Sequence, residues 1–376
     1  MAVATYTHRA LFHDTVDELV DALVPFVMEG IEADERVVVV VAASIGETLR
    51  GRIGSSDGYD VWDSTDVYTF PIRTLAGYVD TVRGGTEHGR RMRVAGQPVW
   101  EGLNPLEVAE WTCLEAACNL VFAESPLLML CLYDTSLLDP SVIAAARRTH
   151  PEIRRGSQVA ASPEFAPFDH QSDVRAGELP PRPASCETIS IFSSSDLDPV
   201  LSFVETFAQS QAMAESRIPD LAATVRGLIT RAIDYRLGPA RLHIWATAEE
   251  LTYEIESHGS LASPFVGYLP PSASAPDDRG LWFIGQQCDL IAVREQQGMT
   301  TVRLNFCDHL VSVRPQCNGV DKLLGVYTLG ACDPEEISLV ESHLTTCAEC
   351  RAEFDALSRV VGLMNNPDEH QHQSDG

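Results

Sequence analysis

Positive charge is scarce in this chain. Its 376 residues hold 27 Lys and Arg against 54 Asp and Glu, a formal net charge of −27. A surface of that sign repels phosphate backbones and anionic lipid, so direct nucleic-acid or membrane-surface binding is not expected. Long apolar runs are missing too. No stretch reaches the roughly 18 residues that a membrane span needs. The opening MAVATYTHRALFHDTVDELVD has no basic segment followed by an apolar one, so no secretory leader is expected. The expected location is cytoplasmic. There the ten cysteines should be thiols or metal ligands rather than a disulfide framework. A glycine-rich loop ending in Lys-Ser or Lys-Thr is also lacking, which excludes phosphate cradling by a P-loop.

What is present is ordinary globular material. Hydrophobic residues make up 45% of the chain and the mean hydropathy is −0.04. The length suits two or three domains. Over residues 1–155, apolar strand-like runs alternate with helical spacing, which implies a layered α/β domain. RVVVVVAA (36–43) reads as a buried strand of a parallel sheet, because it is short, β-branched and flanked by polar residues. RMRVAGQPVW and PLLMLCLYD (126–134) read as further strands. NPLEVAEWTCLEAACNLVFA (104–123) reads as a helix with Asn104 as N-cap and Pro105 at the first position. Residues 156–187 are rich in Pro, Ser and Ala without a period and read as a linker. Residues 188–308 read as a second α/β unit, with helices over 197–214 and 219–235 ahead of alternating strands. Residues 309–365 read as mostly helical, and 366–376 as a disordered polar tail whose histidines are solvated.

The ordered segments HRALFHDTVDEL, RVAGQPVWEG, EWTCLEAACNLVFA, LMLCLYDTS and ARRTHPEI together resemble the MEDS sensory domain of bacterial regulators, a RecA-like α/β module. The resemblance implies sensing of a small molecule or other signal. Ligands of open α/β sheets sit at the carboxyl ends of strands. Arg93, Gln97, Glu115, Asn119, Tyr133, Asp134 and His150 are therefore the candidate pocket residues. The alternative is that they cap helices and tie loops together. Cys131, inside an apolar strand, is expected to be core.

In the second unit, RGLWFIGQQCD followed by GMTTVRL resembles the GHKL ATPase fold, an α/β sandwich, in its anti-sigma-kinase or histidine-kinase-like branch. That resemblance implies an Asn holding Mg²⁺, a Glu base and an Asp reading adenine. Here Arg226, Gly227, Arg231 and Tyr235 stand at the helix positions, Ser257 stands at the adenine position ahead of Gly259, and only the later turn keeps its Gly280. Guanidinium has no lone pair for Mg²⁺ and glycine is no base. The expectation is a degenerate, non-enzymatic module with ATP binding weak or absent.

The most specific pattern is HLTTCAEC (343–350), which offers His343, Cys347 and Cys350. Zinc prefers four N or S ligands in tetrahedral array. Candidates for the fourth are His309, Cys317 and Cys332. NGVDKLLGVYTLG and DPEEISLVESHL read as an antiparallel helix pair, a small all-α hairpin, joined by a turn near Cys332. That pairing brings Cys317 beside His343 and leaves Cys332 at the far end. YTLGACDPEEISLVESHLTTCAECRAEF strongly resembles the zinc-binding anti-sigma domain. The resemblance implies structural zinc on Cys317, His343, Cys347 and Cys350, and a sigma factor as partner. A thiol-oxidation switch is a further expectation, with Cys332 and Cys307 nearby. One helix, RAEFDALSRVVGLMNN, follows the Cys pair where the family uses helices to clasp its sigma factor. The whole therefore reads as an α/β multidomain regulator. Its rivals are an ATP-dependent signalling kinase and a sensor that zinc merely dimerises.

Overall fold

A computed structural model describes residues 6–54, 58–86, 89–166, 178–211, 213–234, 239–247, 250–259, 267–270, 279–307, 327, 332, 334–347, 350–351 and 354. The first sheet is built from β1 (Thr7–His13), β2 (Arg36–Val41), β3 (Tyr59–Asp63), β4 (Met92–Gly96), β5 (Leu127–Asp134), β6 (Glu152–Arg155) and β7 (Gln158–Ala161). Its spatial order is β3-β2-β4-β5-β1-β6-β7. All neighbours run parallel except the β6 and β7 pair.

The helices follow from the handedness of the crossovers. α1 (Val16–Glu32) and α2 (Ala43–Ile53) carry the chain outward from β1 to β2 and β3. α4 (Pro71–Gly85) and α5 (Pro105–Val121) bring it back to β4 and β5, with α3 (Ser64–Val67) a single turn between. Right-handed crossovers that reverse direction must use opposite faces. Accordingly Val37, Val39 and Val41 of β2 pack with α1 and α2, while Val38 and Val40 face the α4 and α5 side. This two-sided burial is why the Val run carries no alternation. α6 (Pro140–Thr149) joins α4 and α5 on their face. α5 starts as its sequence indicates. Asn104 accepts from the amides of Leu106 and Glu107, and the Glu107 carboxylate reaches back to the Asn104 amide. Such a capping box contributes about 1 kcal/mol.

The second sheet is antiparallel. It comprises β8 (Glu187–Ile191), β9 (Ala240–Ala246), β10 (Leu251–His258), β11 (Leu290–Gln296) and β12 (Met299–Phe306), in the order β11-β12-β10-β9-β8. Gln297 and Gly298 make the tight turn between β11 and β12, both at positive φ, as a two-residue hairpin turn of this hand requires. α7 (Leu197–Ser210), α8 (Ile218–Asp234) and α9 (Arg279–Gln287) supply its apolar partners, including Val204, Val225 and Leu281. The opposite face of the sheet is polar yet buried. Arg303 and Arg182 converge on Glu254, and Arg182 also holds Glu256. The segment expected to be a free linker is thus tied down at its second end, and the first sheet continues past residue 155 into β7.

The two sheets share a core. α5 lies between them. Glu110 on α5 is fully buried, accepts from Arg294 of β11 at 2.8 Å and from the Tyr268 hydroxyl at 2.9 Å. Arg73 of α4 donates to the buried Asp289 carboxylate at 2.8 Å and to the Gln286 carbonyl. α4 and α9 approach so closely that a Cβ on Gly285 would overlap Ile72. α10 (Pro334–Thr346) is the described part of the C-terminal segment.

Breaking a buried pair leaves an uncompensated charge, at a cost of about 3–5 kcal/mol, whereas replacing both partners by apolar groups costs far less. Glu110→Met should therefore destabilise the chain by about 3 kcal/mol or more, and Glu110→Met with Arg294→Met by less than the single change. Denaturant midpoints of the two variants and wild type check this.

Candidate functional site

The structure gathers four of the seven sensor candidates into one buried cluster. Glu115 and Asn119 come from α5, Tyr133 from β5 and His150 from the C-cap of α6. The sequence reading missed His8, which completes the cluster from β1, and treated Cys131 as plain core. The period-two pattern of THRALFH carries the signal for His8: His8, Ala10 and Phe12 share one strand face, toward α5. Glu115 Oε2 lies 3.4 Å from His8 Nε2, 3.4 Å from His150 Nε2 and 3.3 Å from Cys131 Sγ. Asn119 donates to the Thr149 carbonyl at 2.8 Å and turns its oxygen to His8 Nδ1 at 3.1 Å. His150 Nδ1 meets the Ala146 carbonyl at 2.7 Å. Tyr133 sets its ring edge against His150. Burial first, and then the neighbouring His150, push His8 down to about 4, so its ring is neutral near pH 7. Burial likewise raises the Cys131 thiol and the Tyr133 phenol, with the Glu115 charge adding to both.

The other three candidates lie elsewhere. Arg93 sits near the amino end of β4, where it pairs with Glu35 and Glu29 and covers Phe26. It is a structural clamp away from the strand carboxyl ends. Gln97 gives its amide to the Val40 carbonyl, and its side-chain oxygen is buried with no hydrogen bond among the described residues. Asp134 closes a turn by accepting from Ser136. A cleft of about 910 Å³ does open beyond the carboxyl ends of β1 and β5, but none of the seven lines it. Its lining includes His13, Asp14, Thr135, Arg147, Arg154 and Glu164.

The expected nucleotide positions hold local roles. Arg226 pairs with Asp198 of α7 at 3.4 Å. Gly227 faces α9, where an added Cβ would sit 3.6 Å from Ile284. Arg231 lies a turn further along α8. Ser257 is a ladder residue of β10 opposite Thr300, not part of a turn, because β10 runs on to His258. Gly259 follows at positive φ and donates to the Gly298 carbonyl. Gly280, expected in a turn, lies in the first turn of α9. Tyr235 is outside the described residues.

At the other end of the chain, His343 on α10 stands one turn before Cys347. The donor atoms of His343, Cys347 and Cys350 lie within 4.8 Å of one another. Cys332 is described and is not in that group, while His309 and Cys317 lie outside the described residues. Cys350 is fully buried beside Val340, Leu344 and Phe354. Arg351 folds back onto the carbonyls of Leu344 and Thr345, closing the helix end. One imidazole and two thiols converging at this spacing fit zinc, with a fourth ligand still to come. The ion would be structural, holding the end of α10 to the segment that follows.

Two family models match. Residues 7–151 match "MEDS: MEthanogen/methylotroph, DcmR Sensory domain", and residues 317–351 match "Putative zinc-finger". The chain thus carries a sensory domain and a zinc-finger segment of a kind found in anti-sigma factors. No family model matches the second sheet as a GHKL ATPase domain. No curated protein matches the chain. Among the described residues, no helix is long and apolar enough to cross a membrane.

Serine cannot replace a thiolate at a soft tetrahedral site. Cys317→Ser, Cys347→Ser and Cys350→Ser should each remove about one zinc per chain, whereas Cys332→Ser should keep it. Metal analysis of protein purified under reducing conditions reads the outcome, and zinc loss from Cys332→Ser would replace Cys317 as the fourth ligand.

Proposed function

We propose that the protein is a non-enzymatic regulator that restrains a sigma factor and releases it, or tightens on it, in response to a signal at the sensory domain. The observation that carries this reading is the pairing of the two matched segments in one chain: a sensory domain at residues 7–151 and a zinc-finger segment at residues 317–351. The acidic balance of the chain supports it, because the basic helices of a sigma factor would be steered toward it. The signal is a small molecule that enters the cleft between β1, α1 and α6, where Arg147, Arg154 and Glu164 supply polar contacts.

Loss of kinase chemistry belongs to the same reading. Arg226, Gly227 and Ser257 replace the metal ligand, the base and the adenine reader that the GHKL resemblance implies. The middle module then acts as a platform. It transmits the state of the sensory domain through α5 and adds contact area to the short C-terminal segment. Zinc is expected on Cys317, His343, Cys347 and Cys350, and a cytoplasmic location suits the partner.

The test is binding of the purified zinc-loaded chain to each sigma factor of its own host, followed by transcription from that factor's promoter. The expected result is a complex with at least one factor and loss of transcription, with Cys347→Ser losing the complex and restoring transcription. No complex with any of them would contradict the reading. Retention of ATP by the chain in the same buffer would favour the kinase alternative.

A further inference from the structure

We infer that the core of the sensory domain holds a second metal ion, a divalent first-row transition metal such as zinc, on His8, Glu115, Cys131 and His150. This goes beyond the sigma-restraint reading and does not depend on it.

The argument begins with which atoms carry protons. The Asn119 amide nitrogen donates to the Thr149 carbonyl, so its oxygen faces His8 Nδ1. An amide oxygen only accepts, so His8 Nδ1 carries the hydrogen. His150 Nδ1 faces the Ala146 carbonyl at 2.7 Å, which only accepts, and the Thr149 hydroxyl at 3.0 Å, whose own proton goes to the Ala145 and Ala146 carbonyls. Both rings therefore turn Nε2 inward, to the Glu115 carboxylate. His150 Nε2 has no hydrogen bond among the described residues, although His150 is completely buried. The Cys131 thiol has one proton and two claimants, His8 Nε2 at 3.4 Å and Glu115 Oε2 at 3.3 Å. Four side chains able to ligate a metal thus converge in a dry space, with one thiol proton between two acceptors. A buried set of facing acceptors is costly unless a cation sits between them.

The distances separate a metal from a shared proton. An imidazolium hydrogen-bonded to a carboxylate closes to about 2.7–2.9 Å. Tetrahedral zinc with bonds of about 2.0–2.3 Å spaces its ligand atoms about 3.3–3.6 Å apart. Four of the six separations, three of them to Glu115 Oε2, are 3.3–3.4 Å and match the second figure, and all four ligand atoms lie within 4.8 Å of one another. The surroundings match as well. Each ring gives its outer nitrogen to an oxygen acceptor, the outer hydrogen-bond pattern of metal-bound histidine. Two imidazoles, one carboxylate and one thiolate form a borderline donor set suited to zinc, iron(II) or cobalt(II). On loading, Cys131 loses its proton to solvent, which leaves the bound site neutral: +2 on the ion against one carboxylate and one thiolate.

The site would also tie the sensor to the rest of the chain. Its ligands join β1, β5, α5 and the end of α6, and α5 carries Glu110 into the second sheet five residues before Glu115. An ion here would hold α5 to the first sheet about one and a half turns past the point where Glu110 holds it to the second.

Cobalt(II) reports the test, because tetrahedral thiolate ligation gives intense visible bands. The full-length Cys347→Ser and Cys350→Ser double variant lacks two of the three described C-terminal donors but keeps every sensor ligand. Unfolded under reducing conditions, refolded with excess cobalt(II) and desalted, it should hold about one cobalt per chain with a tetrahedral spectrum. Adding Cys131→Ser should abolish the thiolate charge-transfer band, and adding Glu115→Gln should cut retention about tenfold or more, as for lost metal ligands. A refolded double variant with native circular dichroism and no cobalt overturns the proposal. So does a spectrum unchanged by Cys131→Ser and Glu115→Gln, which would place the ion elsewhere.

Discussion

A carboxylate with no access to water organises this protein. Glu110 is buried at the boundary of two sheets, where its charge is tolerable only because Arg294 and Tyr268 meet it there. That requirement fixes α5 against β11 in one register. Because α5 also forms one wall of the first sheet's core, the sensory domain cannot shift without moving the second sheet. Arg73 and Asp289 add a second buried contact beside the first, and the close approach at Gly285 leaves no slack between α4 and α9. The apolar core runs unbroken from Val38 and Trp111 through Tyr268 to Leu228.

In the proposed regulator, this continuity would give the second sheet a coupling role. One side packs three helices around Val204, Val225 and Leu281. The other is a mat of paired charges, in which Arg303 and Arg182 neutralise Glu254 and Glu256. Charges so engaged are positioned to hold segments of chain together. In the proposed regulator the middle module is therefore a coupler, with the sensory domain on one flank and the zinc segment leading from its last strand.

Some of this was legible in the sequence and some was not, for definite reasons. β2 was readable because five valines in a row leave no polar face, and α5 because Asn104 and Pro105 write its start in two residues. The polar face of the second sheet was not, because Thr252, Glu254 and Asn305 look like solvent-facing residues until their partners from distant segments are in place. Arg93 was read as a strand-end residue, but it lies near the amino end of β4, where Glu29 and Glu35 absorb its charge. Glu115, Asn119, Tyr133 and His150 were named among seven candidates and lie together, yet His8 and Cys131, which close the cluster, looked like strand filler. Alternation identifies a buried face without saying whether that face is greasy or chemical. The C-terminal trio was legible because its ligands are local: His343, Cys347 and Cys350 occupy successive turns, so spacing alone brings them together.

Rigid coupling through α5 is the central claim, and native-state hydrogen exchange measures it directly. Amides of β5 in the first sheet and β11 in the second should open with the same free energy, since one buried network joins them. In Glu110→Ala both should fall, and the two values should separate. Different opening energies in the wild-type chain, unchanged by Glu110→Ala, would mean that the two sheets fold and move independently, and the coupling account would fail.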